Sequence, residues 1–246
     1  MTPVYAIGDI HGHSAKLDDA LGLVEQDGGP DARIVFVGDY VDRGEDSRGV
    51  IDRLVTGLAE GRNWTCLKGN HDRLFERFLA KPEPQHDPHL LVGYHWLHDA
   101  LGGKSTVESY GVTVPERIRQ YDLAAQVHDA VPAEHQAFLQ SLHLKYQIGS
   151  LCFVHAGVRP GVPLDDQVEN DLLWIRQEFL EDDTDHGALV IHGHTPVEYP
   201  ELHGNRLAID TGAAYGRTLV PVVIDDEGVF ALTPQGRQRL ERQGQP

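Results

Sequence analysis

The sequence lacks most of what would send a chain to a membrane, a nucleic acid or an oxidising compartment. It has only two cysteines, Cys66 and Cys152. Both lie in apolar runs, where buried thiols are common. A disulfide framework is therefore excluded, and a reduced, cytoplasmic setting is expected. There is no run of about eighteen apolar residues, so no membrane-spanning helix is expected. Met1-Thr2-Pro3 runs straight into an apolar strand, so no signal peptide is expected. Basic residues are scarce: 21 Lys and Arg stand against 38 Asp and Glu, for a net charge of −17. With no basic tract, duplex nucleic acid and anionic membranes are excluded as large-surface partners. No internal repeat is visible. At 246 residues and 40% apolar content, the chain suits a single α/β domain over 1–246.

What is present is concentrated in residues 4 to 72. Three short apolar runs each end in a polar cluster. Val4-Tyr5-Ala6-Ile7 leads into Gly8-Asp9-Ile10-His11-Gly12, and Ile34-Val35-Phe36-Val37 into Gly38-Asp39-Tyr40-Val41-Asp42-Arg43-Gly44. Trp64-Thr65-Cys66-Leu67 leads, through Lys68, into Gly69-Asn70-His71-Asp72. Such runs read as buried strands ending at loops. Helical patterns fill the gaps: Leu17, Leu21 and Val24 in one, Val50, Ile51, Leu54, Val55 and Leu58 in the other. Strand, helix, strand, helix, strand makes a βαβαβ unit with a parallel sheet. Ligands bind off the carboxyl ends of such strands, so the three clusters should meet at one rim.

Residues 72–142 read as a mostly helical insertion. A helix with Leu74, Phe75, Phe78 and Leu79 on one side should end at Pro82 and Pro84. A short helix is expected near Trp96 and Leu97, and further helix from 115 to 142, with Pro115 and Pro132 in first turns. Trp96 sits in an apolar pattern and is expected in the core. Strands return before His155-Ala156-Gly157, before His192-Gly193-His194-Thr195-Pro196 and before Asp210-Thr211-Gly212. Val220 to Ile224 and Val229 to Leu232 follow, joined by a turn at Asp226-Glu227-Gly228. The late strands have little helix between them and are expected to be antiparallel hairpins. Residues 235–246 read as a polar tail that frays.

Asp9 and His11 are two apart, and at the end of an extended segment such residues point the same way. An Asp and a His aimed at one point are metal ligands or an acid–base pair. Asp39, Asn70, His155 and His194 end other strands and can join them. Six O and N side chains can supply two sites if one carboxylate is shared. Two ions about 3.5–4 Å apart are a recurrent clamp for in-line displacement at phosphorus. Mixed imidazole and carboxylate donors suit Mn, Fe, Zn or Co over Ca. His192, two before His194, is the ambiguous residue of the set.

This motif series resembles that of the calcineurin-like metallophosphoesterases. The Asp42-Arg43-Gly44 variant resembles the phosphoprotein phosphatase branch, especially compact bacterial and phage serine/threonine phosphatases and the symmetrical diadenosine tetraphosphatases. The similarity extends to Trp96-Leu97, Gly102-Gly103, Ser109-Tyr110-Gly111, Leu173-Trp174-Ile175-Arg176 and Asp210-Thr211-Gly212. It implies the two-sheet sandwich of that fold, flanked by helices. It implies one metal on Asp9, His11 and Asp39, and a second on Asp39, Asn70, His155 and His194. It further implies His71 as general acid, oriented by Asp42, with Arg43 and Arg176 on the phosphate oxygens. Two departures stand out: Asp72 where Glu is common in the branch, and Arg217 where a second Gly is usual.

The resulting expectation is a two-metal phosphoesterase, Mn-loaded, in which a hydroxide bridging the ions attacks phosphorus. No Ser or Cys nucleophile accompanies the motifs. The cations of the insertion, Lys81, Lys104, Arg117 and Arg119, are sparse. That weak field points to a phosphorylated protein or peptide, or a small phosphate ester, and so to a serine/threonine protein phosphatase. The alternatives are a symmetrical diadenosine tetraphosphatase and, outside enzymes, a metal-binding regulatory module.

Overall fold

The computed structural model of the chain describes residues 2–80 and 87–243. In chain order it runs β1 (Val4–Ile7), α1 (Ser14–Gly28), β2 (Arg33–Phe36), α2 (Ser47–Ala59), β3 (Trp64–Cys66) and α3 (Asn70–Leu79). The insertion contributes α4 (Gly103–Ser109), α5 (Gln120–Ala130) and α6 (Ala133–Ser141). Then come β4 (Lys145–Ile148), β5 (Leu151–Val154), α7 (Glu169–Trp174), α8 (Gln177–Leu180) and β6 (Leu189–His192). The chain closes with β7 (Glu201–Leu202), β8 (Arg206–Ala208), β9 (Val222–Asp225), β10 (Gly228–Thr233) and β11 (Gly236–Arg239).

The strands form two sheets, ordered β11-β10-β9-β1-β2-β3 and β4-β5-β6-β8-β7. β1, β2 and β3 are mutually parallel, as the βαβαβ pattern predicts. Alternation along each strand decides what packs where. Val4 and Ala6 of β1 face the second sheet, where they meet Leu151 and Phe153 of β5 and Ile191 of β6. Tyr5 and Ile7 face the other way, onto Leu17 and Leu21 of α1 and Val50, Ile51 and Leu54 of α2. Cys152 and Val154 point outward onto Leu172 and Phe179. The result is helices, sheet, sheet, helices. In α2, Asp46 opens the helix by accepting the Gly49 amide at 2.9 Å, which satisfies one of the donors a first turn leaves open. Both thiols are free and buried. No helix among the described residues is long and apolar enough to cross a membrane.

Several local expectations differ from what folds. Residues 115–142 hold two helices, as two first-turn prolines suggest, but Pro115 lies ahead of both and Pro132 is the N-cap of α6. Around Trp96 and Leu97 the chain makes turns, and the helix starts at Gly103. Pro82 and Pro84 lie outside the described residues. Trp96 is buried against Phe75 and Phe78, as its apolar setting predicts. β8 is parallel to β6, not a hairpin partner of it. The two-residue β7 takes the outer edge, and the β7–β8 hairpin folds back so that β8 lands against β6.

Residues 236–239, expected within a fraying tail, form edge strand β11. Its anchor is Arg237, whose guanidinium donates to both carboxylate oxygens of Asp27 at 2.8 Å and to Asp225 at 2.6 Å. Arg239 lies over the Phe230 ring, 4.8 Å from its centroid.

Candidate metal centre

The carboxyl ends of β1 and β2, the start of α3 and the ends of β5 and β6 converge between the two sheets. The backbone there is unusual. Among the described residues five non-glycine positions have positive φ: His11 (48°), Asp39 (53°), Asp42 (73°), Arg43 (70°) and His194 (64°). All five belong to the residues singled out from the sequence. Left-handed conformations cost on the order of 1–3 kcal/mol each for such residues and persist only where the surroundings over-determine them. Here the loops lock one another. The amides of Ile10 and His11 both donate to Asp39 O, at 3.0 and 2.9 Å, and Gly44 N donates to His11 O at 3.0 Å. Gly193 is obligatory for a different reason: a Cβ there would stand 2.0 Å from an Asp9 carboxylate oxygen.

Two groups of buried side chains could each hold a cation, namely His11, Asp39 and His71, and Asp39, His155 and His194. Their ligand atoms lie within 4.8 Å of one another, and Asp39 belongs to both groups. Asn70 adds its carbonyl oxygen to the second group, 2.9 Å from both His155 Nε2 and His194 Nδ1. Asp9 faces the same space, where its carboxylate accepts the His194 amide at 3.0 and 3.2 Å. In the first group His71 thus stands where Asp9 was expected.

The donor set fits divalent cations on a hydrogen-bond argument. His155 Nδ1 lies 2.9 Å from Val37 O and His11 Nδ1 lies 2.9 Å from Val41 O. Each ring gives its proton to a carbonyl and so turns a bare Nε2 lone pair inward, the tautomer that metal-binding histidines use. The Nε2 of His155 then meets the Asn70 carbonyl oxygen, acceptor against acceptor, with Asp39 Oδ1 at 3.5 Å. His194 Nε2 is buried with no hydrogen-bond partner. A cation between Asn70 Oδ1, His155 Nε2, His194 Nδ1 and Asp39 Oδ1 would satisfy these four atoms; His194 Nε2 faces away from them across its own ring.

The charge pattern says the same. Burial, then the Asp210 and Asp39 charges, push the Asp9 carboxyl well above the usual carboxylate range. Burial likewise raises Asp210, to about 6, with Asp39 adding to the effect. In Asp39 burial is outweighed by His155, His71 and His11, and the carboxyl is held below its ordinary value. Burial lowers the pKa values of His11, His155 and His194.

His71 differs. Burial lowers its pKa, but Asp39 and the Asp42 hydrogen bond outweigh it, and the imidazole is raised above its ordinary value. Its Nδ1 is 2.6 Å from Asp42 Oδ2. Asp42 is in turn gripped from the insertion: Trp96 Nε1 donates to Oδ2 at 2.8 Å and Thr106 Oγ1 to Oδ1 at 2.7 Å. On its open side Arg43 places Nη2 3.2 Å from His71 Nε2 and Nη1 3.1 Å from His11 Nε2. Arg43 also lies 5.6 Å from the centroid of the exposed Tyr215 ring. Arg176 is exposed, and its charge helps to lower the pKa values of both His155 and His194.

The ambiguous residue of the set, His192, falls outside. His192 turns Nδ1 toward Gly193 O at 3.1 Å, its ring lies against Phe179, and burial lowers its pKa to about 3. It belongs to neither group. Arg159 is engaged by Asp171, and Arg206 by the Leu180 carbonyl.

Asp72 carries more than its position in the motif suggests. Its carboxylate accepts the amides of Asp39 (2.8 Å), Tyr40 (2.9 Å) and Gly69 (2.9 Å), and so joins the β2 loop to the start of α3. Leaving a buried donor unpaired costs about 1–3 kcal/mol. Asp72→Ala should therefore lower stability by roughly 3 kcal/mol or more, read as a drop in the urea midpoint of metal-free protein. A midpoint unchanged from wild type would show that water satisfies the three amides.

Two sheets enclosing paired His/Asp groups, beside an oriented histidine and two arginines, define a metal-dependent phosphatase, a hydrolase of phosphoric esters. The chain belongs to the calcineurin-like phosphoesterase family, whose pattern it matches over residues 2–220. That family uses two divalent metal ions. The chain is 30% identical to the asymmetrical bis(5'-nucleosyl)-tetraphosphatase PrpE of Geobacillus thermodenitrificans, over 87% of this chain and 86% of the relative. It is 31% identical to the symmetrical bis(5'-nucleosyl)-tetraphosphatase of Bordetella pertussis, over 63% of this chain and 43% of that one. Among solved structures, one provisionally described as a diadenosine tetraphosphatase superposes with a TM-score of 0.63 at 22% identity, covering 94% of this chain and 93% of the other. A cold-active protein-tyrosine phosphatase of a psychrophilic Shewanella superposes with a TM-score of 0.60 at 15% identity, covering 98% and 81%.

Proposed function

We propose that this phosphoesterase hydrolyses dinucleoside tetraphosphates, so the preference moves from a serine/threonine protein phosphatase to the substrate class of the alternative, with asymmetrical cleavage in place of the symmetrical cleavage expected there. The observation that carries the reading is the exposed Tyr215 ring under Arg43 at the rim of the centre. An aromatic face beside a guanidinium that reaches the phosphate site suits a nucleobase at the end of a phosphate chain. A relative named for this activity that aligns along most of both chains supports it. The asymmetrical relative aligns nearly end to end and the symmetrical one over less than half its length. That favours cleavage next to one nucleoside, giving a nucleoside monophosphate and a triphosphate.

In this reading Asp9, His11 and Asp39 hold one ion, and Asp39, Asn70, His155 and His194 the other. Mn is the ion proposed, from the mixed imidazole, carboxylate and amide donors. Bound there, the ions stabilise charge on the phosphoryl oxygens and lower the pKa of water. Arg43 and Arg176 orient the phosphoryl group and take up charge on its oxygens. His71, kept protonated by Asp42, gives its proton from Nε2 to the leaving oxygen. Trp96 and Thr106 fix Asp42 and, through it, the direction of that proton.

The test is kcat/KM with Mn²⁺ for diadenosine tetraphosphate, a phosphothreonine peptide and p-nitrophenyl phosphate, with nucleotide products separated by chromatography. The dinucleotide should be preferred over the peptide by at least about a hundredfold, about 2.7 kcal/mol in transition-state stabilisation, with ATP and AMP as products. A preference for the peptide would return the protein-phosphatase reading. Two ADP as products would make the cleavage symmetrical.

A further inference from the structure

Beside the metal centre lies a groove of about 970 Å³, within the range of small-molecule sites. None of the residues assigned to the centre lines it. Its walls continue three segments that leave the centre: α1, which follows His11, residues 198–199, which follow His194, and residues 216–220, which follow Asp210. A single turn, Ala213–Gly216, divides groove from centre. Tyr215 of that turn faces Arg43, and Gly216 lines the groove. Lys16 of α1 clamps the turn by donating to Ala213 O and Arg217 O, each at 2.8 Å.

The groove has a mixed lining. Arg217 stands at the end nearest the centre, where its charge acts on the Asp210 carboxyl. Its guanidinium lies on Gly212, whose added Cβ would fall 2.4 Å from Nε and Nη2. One nitrogen, Nη1, donates to Val197 O at 3.1 Å, and no carboxylate pairs with Arg217 among the described residues. Leu23 and Leu219 supply apolar wall. Tyr199, 38% exposed, offers a ring fixed by a 2.8 Å hydrogen bond from its hydroxyl to Gln238 of β11. Asp19 and Glu198 also line the groove. Two carboxylates make it unsuited to a bare run of phosphates but able to accept bonds from ribose hydroxyls and an exocyclic amine. A cation, an apolar wall, a fixed aromatic and acceptors in one groove are the groups a phosphate-linked nucleoside needs.

The geometry points to this groove as the site of the far nucleoside of the substrate, the one remote from the phosphorus being attacked. Arg217 sits on the connecting phosphates and Tyr199 against the base. This rests on the dinucleotide reading above and adds to it the place and the residues that set specificity.

The test separates the two. Calorimetry in EDTA, with no metal bound, compares ATP with inorganic tripolyphosphate. ATP should bind at least tenfold more tightly to wild type. Arg217→Ala and Tyr199→Ala should each weaken ATP at least tenfold, Arg217→Lys less, and all three should hydrolyse p-nitrophenyl phosphate with Mn²⁺ at the wild-type rate. ATP binding no tighter than tripolyphosphate, unchanged ATP affinity in both alanine variants, or an equal loss on p-nitrophenyl phosphate each overturns the groove. If diadenosine tetraphosphate is preferred and the variants keep the wild-type KM for it, the groove fails and the substrate reading stands. If the variants lose ATP but the dinucleotide is not preferred, the groove stands as a nucleotide site and the substrate reading fails.

Discussion

Asp39→Asn should lower activity more than any other single change, by at least about a thousandfold, with loss of bound metal. Asp39 belongs to both ligand groups, and its Oδ1 also accepts the His71 amide at 2.9 Å. The substitution removes the one charge the groups share. Metal stabilisation of the transition state is worth several kcal/mol, and each 1.36 kcal/mol is tenfold. The fold should survive. Asn tolerates the left-handed backbone that position 39 adopts, with φ 53°, and its carbonyl can still accept the His71 amide. Elemental analysis after Mn²⁺ loading should show about two ions per wild-type chain and fewer in the variant. Full occupancy with full activity would remove Asp39 from the metal centre.

His71→Asn should behave differently: metal content retained, rate reduced by roughly 10²–10⁴ if general acid catalysis is the role of His71. Asn70 and His71 are adjacent but diverge. Asn70 points to His155 and His194, and His71 to Asp42. Yet His71 also shares a possible ligand group with His11 and Asp39. Metal analysis decides between the roles, because a ligand takes its ion with it when replaced. The leaving group gives a second readout. Nitrophenolate needs little protonation, so the variant should lose less on p-nitrophenyl phosphate than on an alkyl phosphate. Equal losses on the two would count against the acid.

The sequence exposed the centre because its parts are local. Each candidate ligand lies within a few residues of an apolar run, and strand direction alone carries Asp9, Asp39 and Asn70 to one rim. The second sheet's contribution, His155 and His194, was legible for the same reason. What supports the centre was not legible, because it is remote in sequence. Thr106 and Trp96 reach Asp42 from 64 and 54 residues away, and nothing in their own surroundings marks them as its partners. The three amides on Asp72 are backbone groups and leave no trace in side-chain patterns. Asp210 stood in a noticed motif, but its burial beside Asp9 follows only from how the sheets face each other. β8 went wrong for want of β7, whose two residues are too short for an alternation to show.

The polar strand β11 has a consequence for how the molecule meets its neighbours. A sheet whose last strand carries unpaired amides and carbonyls is a template on which another chain can grow. Without residues 236–239 that position would fall to β10, with Val229, Phe230, Ala231 and Leu232 in a row. Such an apolar stretch at an open edge invites strand-to-strand aggregation. β11 ends the sheet with Gly236, Arg237, Gln238 and Arg239 instead, all four exposed. Its polar side chains offer a second copy that approaches edge to edge no apolar stretch to bury, so the last strand works as a gatekeeper against self-association.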